Sequence, residues 1–101
     1  MIKYKIIFTS SFKNMLKDEL IKCKTFNSTY ALKIEKIIYN SINLLRIFPF
    51  ASQLFKIKGI SQVYRKVIIN KRFLIIFKIY NNTIYLLYFV DGKKPYSKYI
   101  Q

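Results

Sequence analysis

The sequence predicts an α+β domain in which a helical hairpin packs on a mostly antiparallel four-stranded sheet, in the order β-α-α-β-β-β. Three observations predict it. Between Val63 and Tyr96, apolar residues alternate with others in three runs rich in Tyr, Ile, Phe and Val, the pattern of strands with one face on a core. Asn70-Lys71 and Asn81-Asn82 separate those runs, and Asn tolerates the positive φ that two-residue hairpin loops require. Upstream, two segments carry apolar residues at helical spacing.

Ile2 to Thr9 reads as a short first strand. Ser10 or Ser11 can cap the helix that follows, because a hydroxyl accepts from the orphan N–H groups of a first turn. Phe12, Met15, Leu16, Leu20 and Cys23 form its buried face, and Asn27, Ser28 and Thr29 break it and cap the next helix. The second helix runs from about Ala31 to Arg46. Ile34, Ile38, Ser41, Ile42 and Leu45 mark its inner face, widened by Ile37 and Leu44. About four polar residues then join the helices as an antiparallel hairpin. Phe48-Pro49-Phe50 ends the second helix, since proline disfavours α geometry at the residue before it. Ala51 to Ser61 reads as an irregular loop leading to strands near Val63–Ile69, Arg72–Tyr80 and Thr83–Val90, with Pro95 to Gln101 as a short tail.

The chain has 101 residues, room for one domain and one modest core over 1–101. Nineteen Lys and Arg against four Asp and Glu give a formal charge of +15, a self-repulsion that calls for a polyanionic partner. A low-GC coding sequence would raise Lys along with Ile, Asn and Tyr, but it would not remove Asp and Glu. The single Cys23 excludes an internal disulfide and fits a small core residue in a reducing compartment. With no histidine, Ser-His-Asp triads, Cys-His pairs and the usual zinc and iron sites are excluded, so no metal and no cofactor is expected. The N-terminal MIKYKIIFTSSFK falls short of the roughly seven to fifteen apolar residues of a signal peptide's core. No run approaches the ~20 apolar residues of a membrane span. The expected location is cytoplasmic, without a membrane partner.

The order of elements, the length, the charge and the strand wording together resemble the RelE/ParE superfamily, the toxins of type II toxin–antitoxin systems. YRKVIINKRFLIIFKI is similar to the family's paired strands, and NNTIYLLYFVDGKKPY to its last strand and basic exit. The resemblance covers nearly the whole chain and implies a toxin neutralised by a small acidic antitoxin. It implies one of two targets: mRNA in the ribosomal A site, cut without a metal ion, or DNA gyrase.

The resemblance also implies site residues. Arg65 matches the first basic position of the second strand, and Lys93 and Lys94 match the basic pair at the sheet's exit. Tyr96 or Tyr99 stands in for the C-terminal tyrosine. Arg65, Lys93, Lys94 and Tyr96 are therefore the catalytic candidates, with Lys66, Lys71, Arg72 and Tyr99 as nucleic-acid contacts. Such residues would stabilise the charge on a reacting phosphate and move its protons. Val67 and Leu74 stand where active family members tend to carry cations, and strand alternation turns Lys66 away from the Arg65 face.

Plainer readings stand beside these. Arg65 can pair with Asp91 or Glu35, Lys71 and Arg72 can be ordinary turn cations, and Tyr64, Tyr85 and Tyr88 can be sheet aromatics. Asp91 is placed to orient a neighbouring Lys or cap the tail. A basic nucleic-acid or ribosome-binding module without catalysis, and a toxin that has lost its chemistry, remain open alternatives. The predicted antitoxin contact is an acidic amphipathic segment over the sheet edge or the helical hairpin.

Overall fold

A computed structural model describes residues 3–56, 59 and 63–93. The chain folds as β1 (Lys5–Phe8), α1 (Ser10–Phe26), α2 (Ser28–Leu45), a single 3₁₀ turn (Pro49–Ala51), β2 (Gln53–Phe55), β3 (Tyr64–Ile69), β4 (Phe73–Tyr80) and β5 (Thr83–Asp91). The five strands form one sheet in the order β1-β5-β4-β3-β2, antiparallel except that β1 runs parallel to β5. The helical hairpin and the three-stranded meander are those predicted. The fifth strand, β2, falls in the segment expected to be a loop. At three residues it is too short for alternation to reveal, and pairing with Tyr64, Arg65 and Lys66 defines it.

Side-chain caps explain where the helices begin. Thr9, with extended backbone, accepts at its hydroxyl from the Phe12 N–H at 3.2 Å. The same hydroxyl donates to the Leu86 carbonyl at 2.7 Å, so it starts α1 and fastens it to β5. The cap is thus Thr9 rather than Ser10 or Ser11, because only Thr9 still has the non-helical geometry that aims its oxygen at the first turn. Asn27 alone joins the helices, in place of the expected four polar residues. Its N–H donates to the Cys23 carbonyl at 2.8 Å, ending α1, while its side-chain oxygen accepts from the Tyr30 N–H at 3.0 Å, starting α2. That double use brings the start of α2 forward from the expected Ala31 to Ser28.

Phe12, Leu16 and Cys23 from α1 and Ile34, Ile38, Ile42 and Leu45 from α2 meet Phe73, Ile75, Phe77, Ile84, Leu86 and Phe89 of the sheet. The Phe73 and Phe89 rings stack with centroids 5.2 Å apart, and Phe12 meets Phe89 edge-on. Leu44, expected on the inner stripe, is 61% exposed, because the apolar arc of α2 is narrower than the sequence implied. In β4, every residue from Phe73 to Phe77 is buried. Leu74 and Ile76 join Tyr64 and Val90 in a second, smaller cluster on the sheet's other face, so this strand is buried on both sides rather than one.

Both turns take the predicted positive φ: Asn70 and Lys71 have φ of 52° and 58°, and Asn81 and Asn82 have 49° and 58°. Asn81-Asn82 is the expected two-residue loop between the paired Tyr80 and Thr83, whereas Ile69 pairs with Phe73, so Arg72 joins Asn70 and Lys71 in a three-residue connection. A bulge interrupts the β4–β5 ladder. Ile76 pairs with Tyr88 but Phe77 with Leu86, so Leu87 is the extra residue. That extra residue lets Leu86 and Phe89, three apart, both face the helices. Among the described residues, no helix is long and apolar enough to cross a membrane.

Candidate nucleic-acid interface

The meander decides which cations meet. Three antiparallel strands bring the β3–β4 turn beside the end of β5, with Phe73 opposite Asp91 and Leu74 opposite Val90. Lys71 and Arg72 lie in that turn, and Lys93 lies two residues past Asp91. Lys66, two residues before Ile68 in β3, shares its outward face. The four cations line one cleft of about 270 Å³, with Ile68, Leu74 and Gly92 between them. Four of the eight predicted site residues therefore come together. Among the described residues lining the cleft there is no carboxylate.

The cleft's edges are tied by short contacts. The Gly92 N–H donates to the Arg72 carbonyl at 2.7 Å. A Cβ on Gly92 would meet that carbonyl oxygen at 3.0 Å, so any larger residue would push the two edges apart by a few tenths of an ångström. Asp91, only 7% exposed, accepts from the Lys93 N–H at Oδ1 (3.0 Å) and holds Arg72 Nε at 3.5 Å from Oδ2. The Arg72 guanidinium lies 4.8 Å above the Phe73 ring, on the helix-facing side with Cys23 and Tyr30, so Arg72 forms the rim of the cleft and its charge sits across the sheet edge from Lys66. A side-chain hydrogen bond with Tyr30 pushes the Arg72 pKa up, against desolvation by burial and with help from Asp91. The Asp91 clamp on Arg72 depends on the pairing of β4 with β5, and the reach of Tyr30 from α2 depends on helix-to-sheet packing, so neither follows from local sequence.

Arg65 is not part of this group. It lies on the helix-facing side of β3, where its Nη1 donates to the Ser52 carbonyl at 2.9 Å and to the Phe50 carbonyl at 3.5 Å. Its guanidinium sits 4.9 Å from the Phe50 ring centroid. The anticipated pairing with Asp91 or Glu35 is therefore replaced by backbone carbonyls, because the 3₁₀ turn brings them closer than either acid. Lys66 faces away, as expected from alternation, with its ammonium 5.3 Å from the Phe55 ring centroid. Val67 packs against the helix-side core and Leu74 is buried on the opposite face, so both positions that the resemblance marks as cationic hold packed apolar side chains. Lys94, Tyr96 and Tyr99 lie outside the described residues.

What the described cleft can do chemically is hold negative charge. Lys and Arg supply donors and positive potential for phosphate oxygens. Two other groups with reactive atoms are kept protonated. Burial pushes the Tyr64 phenol up, aided by Tyr88, and burial pushes the Cys23 thiol up despite the opposing pull of Arg72. The aromatics Tyr64, Tyr85 and Tyr88 are buried or half-buried in the sheet, Tyr85 beneath the Lys78 ammonium.

A second surface feature lies on the helices. A groove of about 650 Å³ runs between α1 and α2. Leu16, Leu20, Ile21, Ala31, Leu32 and Tyr39 contribute apolar surface, and Lys13, Lys17 and Lys24 stand along the α1 side.

The sequence matches no family model and no curated protein. The RelE/ParE resemblance therefore rests on the residues and the element order already described.

Proposed function

We propose that this protein is a RelE/ParE-like toxin that acts in the cytoplasm on ribosome-bound mRNA, with RNA phosphates seated in the cleft between the β3–β4 turn and the end of β5. One observation carries this reading: Lys66, Lys71 and Lys93 line a cleft whose described lining has no carboxylate, with Arg72 at its rim. Asp91 offsets the charge of Arg72, but the three lysines repel one another, and a phosphate backbone relieves that repulsion while releasing its own counterions. Lys94 and Tyr96, the remaining catalytic candidates, come one and three residues after Lys93 in sequence.

A second reading, RNA or ribosome binding without cleavage, is favoured by one observation. Arg65, the catalytic candidate on β3, is held by two backbone carbonyls on the side of the sheet opposite Lys66. The proposed partner in either case is an acidic antitoxin whose amphipathic helix lies in the α1–α2 groove, its apolar face on Leu20, Ile21 and Leu32 and its carboxylates toward Lys13, Lys17 and Lys24.

Induced expression with early 5′-end mapping of RNA tests the function. Growth arrest with new cuts inside translated codons supports the nuclease. Arrest with intact mRNA and trapped gyrase–DNA complexes would replace it with gyrase poisoning. Salt-sensitive RNA binding with neither arrest nor cuts would leave the non-catalytic module.

A further inference from the structure

We infer that Asp91, an acid at the edge of a cationic cleft, is a positioning residue for polyanion binding: it fixes Arg72 and Lys93 so that both meet phosphates at little cost in lost freedom. The inference rests on the nucleic-acid reading of that cleft. Both carboxylate oxygens are committed, one to the Lys93 N–H and the other to Arg72 Nε. Asp91 is the one charged side chain buried among the described residues. Yet its partner Arg72 keeps 41% of its side chain exposed. The guanidinium is anchored at the rim of the cleft, on the helix-facing side, and still meets solvent, so it is suited to receive an anion that crosses the sheet edge. Phe73 beneath it and Tyr30 beside it restrict the same side chain from two further directions.

The carboxylate has two opposed effects on an incoming phosphate. Its negative charge repels RNA at short range. Its contacts hold one long side chain and one strand exit in place, which lowers the ordering cost of binding. Restraining one rotamer-rich side chain changes affinity by roughly 2- to 10-fold. The two effects predict opposite signs for removal of the charge, so they can be told apart.

The experiment measures affinity for a short fluorescein-labelled single-stranded RNA by anisotropy over a salt series. It uses wild type, Asp91→Asn, Arg72→Ala and the double variant Asp91→Asn/Arg72→Ala, with thermal unfolding in the same buffers. Asn keeps an acceptor for the Lys93 N–H and removes the ion pair. The expected result is that Asp91→Asn binds roughly 2- to 10-fold more weakly although the chain has become more positive. The double variant should bind no more weakly than Arg72→Ala alone, because Asp91 acts through Arg72. Equal or tighter binding by Asp91→Asn, or additive losses, would overturn the inference while leaving the nucleic-acid reading in place. Absence of RNA binding by the wild type would overturn both. Should Asp91→Asn fail to fold, Arg72→Lys decides: it keeps the charge but loses the planar fork. Weaker binding then supports positioning, and unchanged binding overturns it.

Discussion

Arg65 and Lys66 are neighbours in β3 and serve opposite faces of the sheet. The Arg65 guanidinium bonds to the Ser52 carbonyl at 2.9 Å, beside the Phe50 ring, whereas Lys66 lines the cationic cleft. Strand alternation separates one basic dipeptide into a structural residue and a candidate ligand contact. Arg65→Ala should therefore act first on stability. Removing a charged hydrogen bond and a ring interaction at a partly exposed site costs about 1–2 kcal/mol. Urea unfolding checks this, and an unchanged midpoint would mean that the carbonyl bonds contribute nothing.

The cleft cations should behave as a group. Lys66→Ala/Lys71→Ala/Lys93→Ala should weaken binding to single-stranded RNA and flatten its salt dependence. The log–log slope should fall by roughly 0.7 for each phosphate that the variant no longer neutralises. Equal slopes for variant and wild type would place the RNA elsewhere on this basic surface.

Alkaline conditions should expose the buried thiol. The folded state holds the Cys23 proton more tightly than the unfolded chain does, because burial raises its pKa above the ordinary 9.0. As pH rises past 9.0, the unfolded chain ionises first, so folding stability falls. Cys23→Ala should remove that part of the decline, read from urea midpoints across the alkaline range. Parallel declines in both proteins would assign the loss to other groups, among them Tyr64, whose phenol is also raised by burial.

Turn chemistry should tolerate only certain residues. Asn82, at φ 58°, should accept glycine, whereas Asn82→Val should cost about 1–2 kcal/mol, because a β-branched side chain is strained in the left-handed region. Thermal unfolding of the two variants measures the difference. An equally stable valine variant would mean that the turn has changed type.

The fold was legible where a local cause sufficed. Asn70-Lys71 and Asn81-Asn82 announced their turns, and the run from Arg72 to Tyr80 between them, rich in Phe, Ile and Tyr, read as the strand that begins one residue later at Phe73. The meander also placed Lys71 and Arg72 beside Lys93, because antiparallel order alone makes the start of β4 a neighbour of the end of β5. Features set by long-range packing were not legible. β2 exists through its three pairs with β3, the capping role of Thr9 depends on its extended backbone, and Arg65 is held by carbonyls that a 3₁₀ turn delivers.

The bulge at Leu87 shifts the phase of β5 by half a period, and the face to which the acid of the molecule's basic end turns depends on that shift. Beyond Leu87, Phe89 and Asp91 turn toward the helices and Val90 turns away. Without the inserted residue the same letters would be dealt to the other sides: Asp91 would face outward with Lys66 and Leu74, and its carboxylate would sit among the lysines as a built-in competitor for any phosphate. A single residue of length, carrying no charge itself, keeps the acid behind the cations rather than among them.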